Sequence, residues 1–297
     1  MFEWGFTLVL LTNGLLIGLM YSLIALGFVL VYKATDAINF AQGEFVMLAG
    51  FIIAGMLVLA GAPFWLSVAV CVLGMVAFGF GLERVVLRPL IGRPIIAVIM
   101  ATIGLASVLR GAAPLFFGAE TRALSLPISD EPIVLGPITL PPVQVVGALL
   151  SLAFLAGFTW FFLKSRMGIA MRAVADNQQV AMAMGIHVER YFAIAWGLAG
   201  AVSALGGLAW GALLGVDVHL ALIGLKVFPV VILGGLDSIL GAIVGGLIIG
   251  VVENLAAGYL DPLVGGGTKD FAPYVLMIVM LMIRPYGIFG KARIERV

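Results

Sequence analysis

Of the 297 residues, 63% are hydrophobic and only 10% are charged, against roughly a quarter in an ordinary soluble domain. So few polar groups cannot cover a water-soluble surface, and 16 basic residues against 15 acidic ones leave no electrostatic footprint for nucleic acid. One cysteine, Cys71, excludes an internal disulfide.

Apolar runs of about 20 residues predict helices long enough to span a bilayer. They lack the two-residue alternation of barrel strands, so the spans are read as helices. In chain order they fall at 6–32, 38–60, 64–82, 95–117, 143–163, 191–215, 221–235, 239–256 and 272–290. Two of these are weak. Segment 38–60 opens with Asn39, Gln42 and Glu44, and the short segment 221–235 contains Lys226 and Pro229. The predicted fold is an all-α integral membrane protein, a polytopic bundle of about eight to nine transmembrane segments in one domain over 1–297.

Arginine and lysine orient the bundle. Lys33, the group Arg84, Arg88 and Arg93, the group Lys164, Arg166, Arg172 and Arg190, and the terminal Arg284, Lys291, Arg293 and Arg296 all fall on one side if both weak segments cross. That side is the cytoplasm, with the N-terminus outside and the C-terminus inside. The loop of about 118–142, with Glu120, Asp130, Glu131 and repeated prolines, is then an extended outer cap. Loop 164–190 is cytoplasmic and amphipathic, with a short helix from Met171 closed by Gly185. It can dock on a partner protein or lie on the lipid surface.

The two halves show a faint repeat. Each has a long span, then an aspartate (Asp36, Asp217), then a short segment with a charge (Glu44, Lys226). The topology makes the halves inverted, and broken polar segments in matching positions point to a transport path. A charge in the bilayer needs a partner or water, so Glu44 and Lys226 either line the path or form structural pairs. Facing each other, or sharing a hydrated cavity, is the arrangement expected. Arg110 and Glu253 lie near enough to span ends to reach the interface. Glycines four apart, at Gly14/Gly18, Gly207/Gly211/Gly215 and Gly241/Gly245, serve close helix packing or a narrow path.

Enzyme chemistry finds no support. Gly265-Gly266-Gly267-Thr268-Lys269 has the wrong order for a phosphate loop. His187 and His219 fall on opposite sides of the bilayer, so they cannot share a metal. No cofactor is expected.

Tyr21, Ala25-Leu26-Gly27 and Asn39-Phe40-Ala41-Gln42-Gly43-Glu44 together resemble the opening of the branched-chain amino acid ABC permeases of the LivH type. Arg172-Ala173, Asp176, Ala181, Gly185-Ile186 and Arg190 resemble that family's cytoplasmic coupling loop. Gly224-Leu225-Lys226-Val227-Phe228, Gly234-Gly235 and Gly241 resemble its late core, and Arg284-Pro285-Tyr286-Gly287-Ile288-Phe289-Gly290 its ending. Gln42 stands where histidine is expected and Leu240 where proline is expected, and the full Glu-Ala-Ala signature of other importers is missing.

The resemblance implies an importer subunit in the bacterial inner membrane, with no chemistry of its own. It implies a second related permease as heterodimer partner, two cytoplasmic ATP-binding subunits and a periplasmic substrate-binding protein. It places Tyr21, Asn39, Gln42, Glu44 and Lys226 on the translocation path, and Arg172, Ala173, Asp176, Gly185 and Arg190 at the ATPase contact. The cargo would be a branched-chain or other amino acid, urea, a short amide or an aromatic acid. The competing expectation is a stand-alone secondary transporter with Glu44 as its proton or cation site.

Overall fold

The computed structural model describes residues 4–90, 93–129, 131–136 and 138–290. Asp130, Lys291, Arg293 and Arg296, counted above in the loop and charge patterns, lie outside the described residues. Among the described residues the regular structure is helical apart from one short hairpin and an isolated bridge between Arg122 and Val216.

Each expected span contains a helix. These are α1 (Trp4–Thr35), α2 (Gln42–Ala54, extended by a π-helical turn, Gly55–Leu59), α3 (Phe64–Leu82) and α4 (Ile95–Phe117). Strands β1 (Ile133–Leu135) and β2 (Ile138–Leu140) pair antiparallel, with Val134 opposite Thr139. Then follow α5 (Pro142–Lys164), α6 (Arg166–Asp176), α7 (Gln178–Ala183), α8 (Val188–Leu214) and a 3-10 turn (Val218–Leu222) leading into α9 (Ile223–Gly234). Last come α10 (Ile239–Tyr259), the single turn α11 (Asp261–Val264) and α12 (Thr268–Ile283).

Six described helices are long and apolar enough to cross a membrane: α1, α3 with its π-helical and 3-10 continuation (Glu83–Leu87 and Arg88–Leu90), α4, α5, α8 and α10. Their outward faces carry Leu73, Val108, Leu149 and Leu214, and Trp4, Trp65 and Trp160 are exposed near helix ends. Exposed apolar surface on this scale suits lipid, with aromatic residues at its borders. The chain is a multi-pass membrane protein.

The chain divides into two compact units, one of residues 1–29, 128–151 and 226–297, the other of 30–127 and 152–225. In the second, glycines set the helix spacing. A Cβ on Gly200 or Gly79 of the α8–α3 pair would overlap the Met75 or Trp196 carbonyl, and one on Gly207 would lie 2.7 Å from Val46 O of α2. The Phe45 ring sits 5.3 Å from Phe78 and 6.1 Å from Trp196. In the first unit, α1 and α10 meet in the same manner. A Cβ on Gly18 would lie 2.7 Å from Gly246 O, and Ser22 Oγ donates to Ile243 O at 3.0 Å. All three glycine sets named from the sequence therefore pack within the chain, Gly211 and Gly215 against Val216 and Thr121, Gly241 and Gly245 against Gly234 and Val230.

Two boundaries differ from expectation. The final helix stops at Ile283, because Arg284 is extended before Pro285, as residues preceding proline tend to be. Residues 284–290 then fold back, with Ile288 N donating to Leu233 O at 2.9 Å and Phe289 N to Gly234 O at 3.0 Å. Gly287 (φ 78°) and Gly235 (φ 106°) make that clasp possible. The segment after α5 is two helices rather than one from Met171. Ser165 caps α6 through Gly168 N (2.9 Å), and extended Asn177 interrupts the helix and caps α7 through Val180 N (3.0 Å).

Candidate functional site

The residues placed on a path from the sequence fall into two polar clusters. The first lies where α2 begins. Asp36 adopts a left-handed backbone (φ 57°) and turns the chain out of α1. Asn39 Oδ1 then accepts from Ala41 N at 3.1 Å, and Asn39 Nδ2 donates to Gln42 Oε1 at 3.1 Å. Gln42 Nε2 donates onward to Ser203 Oγ of α8 at 3.0 Å, and that hydroxyl donates to Ala199 O at 2.8 Å. Asn39, Gln42 and Ser203 are fully buried, so the chain of bonds satisfies groups that burial would otherwise leave at a cost. Here the Gln42 amide needs one acceptor and one donor, which a neutral imidazole also offers.

Two residues on, Glu44 is paired with Arg110 of α4. The Glu44 side chain is 3% exposed and that of Arg110 50%. Arg110 therefore neutralises a buried carboxylate instead of only reaching for the interface. Gly43 lies between Gln42 and Glu44, and its missing Cβ admits the backbone of Ala221 and Gly224. This packing explains glycine at both 43 and 224.

The second cluster lies in the other unit. Lys226 Nζ donates to Asp270 Oδ1 of α12 at 2.7 Å and reaches Glu253 Oε1 of α10 at 3.4 Å. Tyr21 of α1, 2% exposed, interacts with Glu253. Tyr21 and Lys226 are thus brought together, as are Asn39, Gln42 and Glu44. Glu44 and Lys226 each find counter-charges inside their own unit, so neither needs the other as its partner.

Sequence reading missed Arg110, Glu253, Asp270 and Ser203. Arg110 and Glu253 lie a few residues inside helix ends, where an interfacial role is the simplest reading, and α12 begins before the expected span. No pattern in the sequence marks Ser203.

Outside the spans, Asp217 accepts from Thr121 Oγ1 at 2.9 Å and from His219 N at 2.8 Å. Burial pushes its carboxyl up, but the hydrogen bonds from Thr121 and His219 outweigh this and hold it below the ordinary range.

Of the residues expected at the ATPase contact, Arg172, Ala173 and Asp176 lie on α6, Gly185 in the turn after α7, and Arg190 at the start of α8. Arg172 donates to the Phe162 carbonyl and stands 5.5 Å from that ring, which pins α6 to the end of α5. Gln178 Nε2 donates to Ala34 O at 3.3 Å. Ala173, Asp176, Gly185 and Arg190 are exposed, as are Val180, Met182 and Met184. Gly185 (φ 80°) ends α7 as a Schellman motif, with Ile186 N donating to Ala181 O and Gly185 N to Met182 O, both at 3.0 Å.

Over residues 10–283 the chain matches the family described as branched-chain amino acid transport system / permease component. It is 32% identical to the high-affinity branched-chain amino acid transport system permease protein LivH of Salmonella typhimurium, covering 96% of each chain. It is 30% identical to the corresponding permease protein BraD of Pseudomonas aeruginosa, covering 97% of each. With six spanning helices and this match along nearly its whole length, the chain belongs to the family of branched-chain amino acid transport system permease components.

Proposed function

We propose that the chain is one of two permease subunits of an ABC importer in a bacterial inner membrane, a single permease domain over 1–297 that moves branched-chain amino acids. The observation that carries this reading is the family match along almost the whole chain. Two cytoplasmic ATP-binding subunits supply the energy, and a periplasmic binding protein delivers the cargo. The shorter helices α2, α9 and α12 add to the six long ones and bring the count of crossings to about nine, with the N-terminus outside and loop 164–190 in the cytoplasm. The two halves form an inverted repeat. Two polar clusters, each on a short helix that follows an aspartate turn, support that symmetry.

Transport then proceeds by alternating access. The permease offers polar groups along the path and transmits ATP-driven motion through α6 and α7. The secondary-transporter reading loses support, because Glu44 is paired with Arg110 rather than standing alone.

Gly185 offers the test of the coupling surface. Valine there keeps the open space, since nothing lies within 4 Å of a Cβ, but cannot easily hold φ 80°. The Gly185→Val chain should still insert in the membrane yet lose most co-purification with the ATP-binding subunit, and ATP-driven uptake with it. Wild-type co-purification and uptake would remove α6–α7 from coupling.

A further inference from the structure

In the unit that holds Lys226, two carboxylates share one ammonium. Asp270 takes the short contact at 2.7 Å, and Glu253 is left with a long one at 3.4 Å. Glu253 is 1% exposed, and its Oε2 has no hydrogen-bond partner among the described residues. A buried carboxylate oxygen without a donor is costly, so an unfilled one invites a ligand with N–H groups. Tyr21 and Tyr274, the latter one turn beyond Asp270, interact with the same charges. The cluster is not sealed, because the Asp270 side chain is 72% exposed and that of Lys226 31%.

We propose that this cluster is a subsite that reads the zwitterionic backbone of the transported amino acid. Its α-ammonium binds between Asp270 and the free Glu253 oxygen, and Lys226, released from Asp270, takes the substrate carboxylate. The exchange keeps charge balanced, since the zwitterion has no net charge: the Lys226–Asp270 pair opens, and three charge contacts form with the substrate. A primary ammonium carries three donors, enough for both carboxylates and a tyrosine hydroxyl. A metal ion suits the cluster less well, because Lys226 already brings a positive charge. The proposal rests on the reading of the chain as an amino acid importer.

The test uses the whole importer in vesicles, with labelled L-leucine delivered by its binding protein and ATP hydrolysis followed in parallel. Asp270→Asn alters an exposed side chain, so folding should be unaffected. The paired change Lys226→Gln with Glu253→Gln leaves no buried charge. Each should lower leucine uptake about tenfold or more, the loss of a charged hydrogen bond. Hydrolysis stimulated by the loaded binding protein should persist in both. A cluster that only holds helices together would let the Lys226→Gln/Glu253→Gln protein transport normally, and that result overturns the proposal. So does a loss of uptake matched by an equal loss of hydrolysis in Asp270→Asn, which would mark a coupling defect. A wild-type complex that hydrolyses ATP on contact with its binding protein but moves no amino acid would instead overturn the importer's cargo, and this subsite with it.

Discussion

Replacing Gly200 with leucine should destroy the fold, while the same change at Gly74 should be tolerated. Gly200 lies where α8 touches α3. A Cβ there would overlap the Met75 carbonyl and sit 3.3 Å from Val76 N. Backbone cannot step aside as a flexible side chain can, so the two helices must separate and Val202, Ala199 and Met75 lose their packing. Overpacking of a core costs ~1–3 kcal/mol where side chains can give; against backbone a cost of ~4 kcal/mol or more is expected. Gly74 is also on α3, but a Cβ there meets nothing within 4 Å. Thermal unfolding of the purified protein, followed by fluorescence of the buried Trp196, should show a collapsed midpoint for Gly200→Leu and a near-normal one for Gly74→Leu. Equal midpoints would mean that α3 and α8 do not meet through these glycines.

Removing the Arg110 guanidinium should be nearly as damaging, and more damaging than removing its partner. Arg110→Met leaves the Glu44 carboxylate 3% exposed with its counter-charge gone, a loss that typically costs ~3–5 kcal/mol. Glu44→Gln leaves a half-exposed guanidinium that can swing toward water or headgroups, so its cost should be smaller. The double variant should recover most of the stability lost in Arg110→Met, because neither charge remains. A double-mutant cycle on midpoints reads this coupling directly. Simple addition of the two single losses would contradict the pairing.

The bundle was legible because a bilayer leaves the chain few choices. Long apolar runs must be helices, and proline and charged loops mark their ends, so spans such as 64–82 and 95–117 fall where the helices do. The weak segments were legible too, since Asn39, Gln42, Glu44 and Lys226 break an otherwise apolar pattern. Their partners were not. Contact between Glu44 and Arg110 depends on how α2 lies against α4, and Lys226 with Asp270 on how α9 lies against α12. Apolar periodicity says little about which membrane helices are neighbours, because lipid and protein interior are equally apolar. The glycine sets were found as close-packing faces, but only the fold shows that Gly18 faces Gly246 and that Gly207 faces Val46. Segment 164–190 was seen as helix, whereas its break at Asn177 is set by that residue's extended backbone and its cap on Val180 N.

A permease subunit with no nucleotide site of its own moves cargo only when partner subunits hydrolyse ATP, and uptake in sealed vesicles reads that dependence. The chain would be purified with its second permease and ATP-binding subunits, and reconstituted with ATP on the side of those subunits. Labelled leucine, carried by the binding protein, would be added on the other side. An ATP-driven role for the chain requires uptake that depends on both ATP hydrolysis and the binding protein, and that stops when a non-hydrolysable ATP analogue replaces ATP. Uptake by this chain alone, driven by an ion gradient without ATP or a binding protein, would contradict it.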